Sequence, residues 1–162
     1  MLVPFTKLPD EARIWIYQSN RRFNSEEVPE IKNKIEGFLS QWTAHQSALE
    51  AGYEVPYDRF IVLGLNQSLV AASGCSIDAS VHFIQSLEAS YGVDLLDRMN
   101  VTFRQGEYIS FKSLVDFRQM AKARSISKNT IVFNNLVDTK EAYCNAWEVP
   151  ASESWHSRFI KT

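Results

Sequence analysis

The sequence predicts an α+β fold, with a ferredoxin-like β-α-β-β-α-β core followed by a C-terminal β/α extension. Three observations predict it. Apolar side chains alternate with period two at Arg13–Gln18 (RIWIYQ). They recur at helical spacing from Val28 to Trp42. A second helical pattern, Ser76–Tyr91, then follows a strongly apolar run, Arg59–Leu65. With 162 residues, 45 % hydrophobic and 22 % charged, the chain has ordinary globular composition and fits one domain over residues 1–162.

Arg13–Gln18 reads as a strand with Ile14 and Ile16 on one face and Arg13, Trp15 and Tyr17 on the other. Asn24 or Ser25 caps the next helix, and Glu26 and Glu27 in its first turn suit the helix dipole. Val28, Ile31, Ile35, Phe38, Leu39 and Trp42 form its apolar face. Arg59–Leu65 reads as a buried strand, Asn66-Gln67-Ser68 as a tight turn and Leu69–Ser73 as the return strand of a hairpin. Ser76–Tyr91 follows as a helix with Ile77, Val81, Ile84 and Leu87 inward, and Gly92 stands where a C-terminal cap belongs. Val101–Arg104 and Tyr108–Phe111 form a hairpin around Gln105-Gly106. Leu114–Ala123 is a third helix, Thr130–Val137 a strand and Thr139–Trp147 a short helix; the tail from Val149 is irregular. Phe60–Leu65 is apolar on both faces, so the second face of its sheet needs a cover. The last third of the chain or another subunit would supply it, and the 10 Phe, 6 Tyr and 4 Trp favour self-association.

Charge and composition exclude several classes of function. A net charge of −2 gives no field toward nucleic acid or an anionic membrane. Arg13, Arg21 and Arg22 beside Trp15 and Tyr17 suit base stacking on a sheet face, but the acidic balance and the expected cover oppose it. The two cysteines, Cys75 and Cys144, lack CxxC spacing and make no disulfide framework; reduced thiols in a cytoplasm are expected. The segment MLVPFTKLPDEAR shows no signal-peptide pattern, and the longest apolar run, FIVLGL, is far short of a membrane span. His45, His82 and His156 show no metal-binding spacing, so no metal and no cofactor are expected.

The densest polar cluster is Ser73–Ser80 (SGCSIDAS), where a strand hands over to a helix. Free amides at a helix N-terminus suit an anion, with Ser73, Gly74 and Ser76 as ligands and Arg13 or Arg21 as a cationic neighbour. Cys75, Asp78 and His82 fall on one helical face, which makes Cys75 a candidate nucleophile with Asp78 and His82 beside it. An ordinary N-cap with small residues packed against the sheet accounts for the same pattern. Asn134 and Asn135 interrupt the apolar run IVFNNLV, which signals a bulge, an inter-strand side-chain network or a ligand contact. Trp155 in the polar tail is expected to pack back and anchor the chain end.

The segments VPF…LPDEARIWIYQSNR, SGCSIDASVHFIQSLE, NTIVFNNLV and WEVPASESWHSRF resemble a family of small uncharacterised bacterial proteins often labelled "ABC transporter ATPase". The resemblance spans essentially the whole chain and implies no established activity. ATP hydrolysis of that kind needs a GxxxxGK[ST] loop to cradle the phosphates. None of the six glycines precedes a Lys, and LSGGQ is absent, so an ATPase is not expected. The reading is a cytoplasmic binding or scaffold protein without catalysis. A small-molecule enzyme or anion-binding protein using Ser73–Ser80 is the alternative, and an RNA-associated factor the third.

Overall fold

The first named strand lies where the period-two alternation predicts it. In the computed structural model, which describes residues 1–160, β1 (Arg13–Gln18) is followed by α1 (Glu27–Gln41), β2 (Thr43–Ala44), β3 (Ser47–Ala48), β4 (Ala51–Glu54), β5 (Phe60–Leu65) and α2 (Gly74–Tyr91). These elements lie in the first of two compact units, Met1–Leu96 with Asp138–Glu141; the second comprises Asp97–Val137 and the residues from Ala142 on.

In the first unit β1, β5 and β4 form an antiparallel sheet in the order β1-β5-β4. Tyr17, Ile61, Leu63 and Leu65 pack with Ile31, Ile35 and Leu39 of α1 and Ile84 and Leu87 of α2 in one buried cluster. α1 starts on a reciprocal cap: Asn24 Oδ1 accepts from the Glu27 amide at 2.8 Å, and Glu27 Oε1 accepts from the Asn24 amide at 2.9 Å. Gly92, at φ 61°, closes α2 in the left-handed conformation. The inward stripe of α2 differs from the expected one. Ser76 and Ser80 are buried where Ile77 and Val81 were expected, and the Trp42 indole donates to the Ser76 carbonyl at 2.8 Å. A large ring from α1's end fills this space, so α2 presents small residues to it.

The partner of β5 is also different. Leu69–Ser73 is not a strand: Asn66 Oδ1 accepts from the Ser68 amide and hydroxyl, and Ser73 is drawn off to cap α2. β5 pairs instead with the preceding β4, Ala51 opposite Leu65 and Tyr53 opposite Leu63. The ferredoxin-like order is not confirmed, because the sheet holding β1 has three strands and Asn100–Gln105 lies in another sheet. The fold is α+β with antiparallel sheets.

Residues 1–12 cover the second face of β5 at Gly64. Leu2 bridges Ala51 in parallel: the Ala51 amide donates to the Met1 carbonyl at 3.0 Å, and the Val3 amide to the Ala51 carbonyl at 2.8 Å. After Pro4 a 3-10 turn, Phe5–Lys7, carries the chain over the sheet. Gly52 permits that crossing, since a Cβ there would lie 2.8 Å from the Val3 carbonyl oxygen and 3.0 Å from the Phe5 Cα. Gly64 makes room for Leu8 and Phe5, whose side chains would lie 2.6 and 3.1 Å from a Cβ. The Lys140 ammonium then holds the strap, donating to the Leu8 carbonyl at 2.6 Å and the Thr6 carbonyl at 3.1 Å.

The second unit contains β6 (Asn100–Gln105), β7 (Tyr108–Ser113), α3 (Leu114–Lys122), β8 (Ile131–Phe133), most of α4 (Lys140–Ala146) and β9 (Glu148–Pro150). Its sheet has the order β7-β6-β8-β9. Val101, Phe103, Phe117, Ile126, Val132 and Ala151 form its core. The tail is less irregular than expected: β9 pairs with β8, and two 3-10 turns follow at Ala151–Glu153 and Trp155–Phe159. Trp155 packs against this core and stacks on the fully buried His156, so the indole does anchor this segment. No helix among the described residues is long and apolar enough to cross a membrane.

Candidate functional site

The Ser73–Ser80 turn is a finished cap. Ser73 Oγ accepts from the Ser76 amide at 3.1 Å, Ser76 Oγ accepts from the Ser73 amide at 2.7 Å, and the Ile77 amide donates to the Ser73 carbonyl at 3.0 Å. The amides of Ser73, Ser76 and Ile77 at this helix start are therefore already bonded rather than free for an anion. Gly74 is the exposed first residue of α2 and has open space around its Cα, so no close backbone approach requires it. Cys75, Asp78 and His82 are all exposed on the outer side of α2, and no hydrogen bond joins them among the described residues.

The two expected cationic neighbours part ways. Arg13 lies 4.9 Å over the Trp15 ring, Trp15 meets Trp42 edge-on at 5.9 Å, and Trp42 reaches the Ser76 carbonyl. Arg13 is thus linked by rings to the start of α2. Arg21 instead clamps Glu27 with two 2.8 Å bonds and the Tyr91 carbonyl at 2.7 Å. Tyr91 ends α2, about 27 Å from its start at 1.5 Å per residue, so Arg21 serves the other end. The bonds from Arg21 and the Asn24 amide lower the Glu27 carboxyl to about 2.

Asn134 and Asn135 are not inside a strand, because β8 ends at Phe133. Asn134 donates its amide to the Trp147 carbonyl at 2.7 Å and accepts from the Leu136 amide at 3.2 Å; Asn135 Oδ1 accepts from the Trp147 indole at 2.8 Å. They form a latch on Trp147. Because neither residue lies in a strand, this is not the bulge or inter-strand network that was expected; the latch belongs to the second unit, whereas Arg13 and Ser73–Ser80 belong to the first. Among the described residues no three His, Cys, Asp or Glu side chains gather as a metal cage.

The sequence did not single out the feature that carries more chemistry. A cleft of about 670 Å³ opens in the first unit between the strap Leu2–Phe5, Lys32 and Glu36 of α1, and Tyr53–Pro56. Its polar wall is a bonded pair: the Tyr53 hydroxyl donates to Glu36 Oε2 at 2.5 Å. Burial, then that bond, pushes the Tyr53 phenol well above its usual value, which keeps it a donor rather than a base. One Glu36 oxygen is thereby occupied and the carboxylate is held in place, while Lys32, one helical turn earlier on α1, is exposed. Leu2, Val3, Pro4, Phe5, Val55 and Pro56 make the rest of the lining apolar. The turn beyond Pro56 holds Tyr57 and Asp58 at φ 58° and 52°, with the Phe23 amide donating to the Asp58 carbonyl at 2.7 Å.

A faint signal for this site exists in the sequence. Lys32 and Glu36 stand four apart on α1 outside its apolar stripe, and β4 carries Gly-Tyr before a Val-Pro turn. Comparison with protein-family models, with curated proteins and with solved structures gives no match for the chain.

Proposed function

We propose that this is a non-catalytic binding protein, and that the cleft between the strap, α1 and β4 holds an amphipathic ligand with a cationic head. The Glu36–Tyr53 pair carries the reading. A carboxylate held in position on one oxygen can accept a charge-assisted hydrogen bond on the other, against an otherwise apolar lining. A phenol held as a donor supports positioning over proton abstraction. Free, exposed Cys75 and Cys144 support a reducing compartment such as a cytoplasm.

Phenethylamine and its neutral counterpart 2-phenylethanol provide the test, because they share a ring and differ in the cation. Millimolar phenethylamine is expected to raise the melting temperature of the native protein, and 2-phenylethanol to do so less. Glu36→Gln should abolish the difference. An equal response to both compounds, or a response unchanged in Glu36→Gln, would show that the cleft does not select a cation.

A further inference from the structure

The outer edge of β4 is only half used. Ala51 directs its amide and carbonyl outward to the strap, as its bonds to Met1 and Val3 show. Strand groups alternate sides with period two, so Gly52 points to β5 and Tyr53 points outward again. The strap does not follow to Tyr53: Pro4 breaks it, and the chain crosses over Gly52 onto the sheet face. Among the described residues the Tyr53 backbone amide and carbonyl have no partner on that edge. Tyr53 stands in the cleft wall, with Glu36 held beside it by the phenol. A sheet edge with open backbone groups is a template for another strand.

We infer that the cleft ligand is an extended peptide segment of a partner protein, which adds to β4 at Tyr53 and places a Lys or Arg side chain on Glu36. This rests on the cleft reading and names its ligand class. The strap shows that this edge already accepts a chain in parallel at Ala51. Main-chain bonds to Tyr53 would supply affinity, and the carboxylate would select the basic side chain. Alternate side chains of the peptide would meet the apolar lining at Pro4 and Pro56.

The probe is the acetylated, amidated heptapeptide TVKVKVT, followed by amide-resolved NMR and hydrogen exchange on the full chain. Saturating peptide is expected to slow exchange of the Tyr53 amide by about 10-fold or more, as a new strand bond requires. The same peptide with alternate backbone amides N-methylated, and a TVEVEVT peptide, should each bind about 10-fold more weakly or worse. Glu36→Lys should reverse the preference between the Lys and Glu peptides, a readout that mere loss of packing would not produce. Unchanged Tyr53 exchange while phenethylamine still shifts cleft amides would overturn strand addition and leave the cleft reading standing. If neither probe perturbs the cleft, both fall together. Equal binding of the N-methylated peptide would likewise overturn it.

Discussion

Two glycines show how single residues position the site. At Gly52 a Cβ would press on the backbone of Val3 and Phe5, at 2.8 and 3.0 Å, and backbone yields only if the strap lifts. At Gly64 the contact is closer, 2.6 Å, but it is made with the end of the Leu8 side chain, which can turn away. Gly52→Ala is therefore expected to cost more than Gly64→Ala in urea unfolding, about 2 kcal/mol against about 1 kcal/mol, within the range for overpacking. It should also weaken phenethylamine binding, because the strap is one wall of the cleft. Equal costs would mean that the strap is not held against Gly52. Neither role was legible beforehand. A glycine's neighbours in space lie far along the chain, and nothing beside Gly52 or Gly64 in the sequence marks a crossing strap. The same limit hid Trp42, whose place on α1's apolar face was clear while its bond to Ser76 was not.

Elements were legible in proportion to how local their signals are. β1 and β5 lie where alternation and apolar runs placed them, and the sequence announces Asn24 at the start of α1 and Gly92 at the end of α2, while α2 starts two residues earlier than expected, on Ser73. β4 and β9, of four and three residues, carry no local strand signal and are strands because a neighbour pairs with them, while β8 lies within the expected strand but stops at Phe133. That is why β4, and with it the cleft, escaped notice, and why Asn134 was taken for a strand residue. The caps also make a testable claim about acid. Glu27 titrates at about 2 in the fold against an ordinary 4.5, so its contribution is complete above pH 4.5 and is lost as pH falls toward 2. The full shift corresponds to about 3 kcal/mol, but Arg21 is 41 % exposed and solvent screening reduces this to about 1 kcal/mol.

His156 of the second unit acts in an earlier window. Burial lowers it to about 4 from 6.5, so the unfolded chain takes up its proton first. No cost falls above pH 6.5, and stability declines by up to about 1.4 kcal/mol per pH unit between pH 6.5 and 4. Hydrogen exchange across this range should show β6 and β8 amides losing protection between pH 6.5 and 4. His156→Phe should remove that loss. Amides of α1 should lose protection mainly below pH 4.5, and Glu27→Gln should flatten that decline. A His156→Phe protein with an unaltered profile would contradict the assignment.

At the scale of the whole molecule, class was readable and arrangement was not. Alternation and helical spacing are properties of a segment, and together they announce an α+β protein. Which strand lies beside which is a property of distant pairs, such as Ala51 with Leu65 and Val132 with Val149. The candidate site followed the same rule. Ser73–Ser80 stood out because its polar residues are contiguous, and in the fold they complete a cap. The cleft is assembled from three segments spread over residues 2–56, each unremarkable alone. The measurement that tests this account most directly is an amide-resolved NMR titration of the native protein with phenethylamine. The account predicts saturable shifts at Val3, Phe5, Glu36, Tyr53 and Val55, with the α2 start at Gly74–Ile77 undisturbed. Shifts centred on Gly74–Ile77, or no saturable shift in the cleft at all, would contradict it.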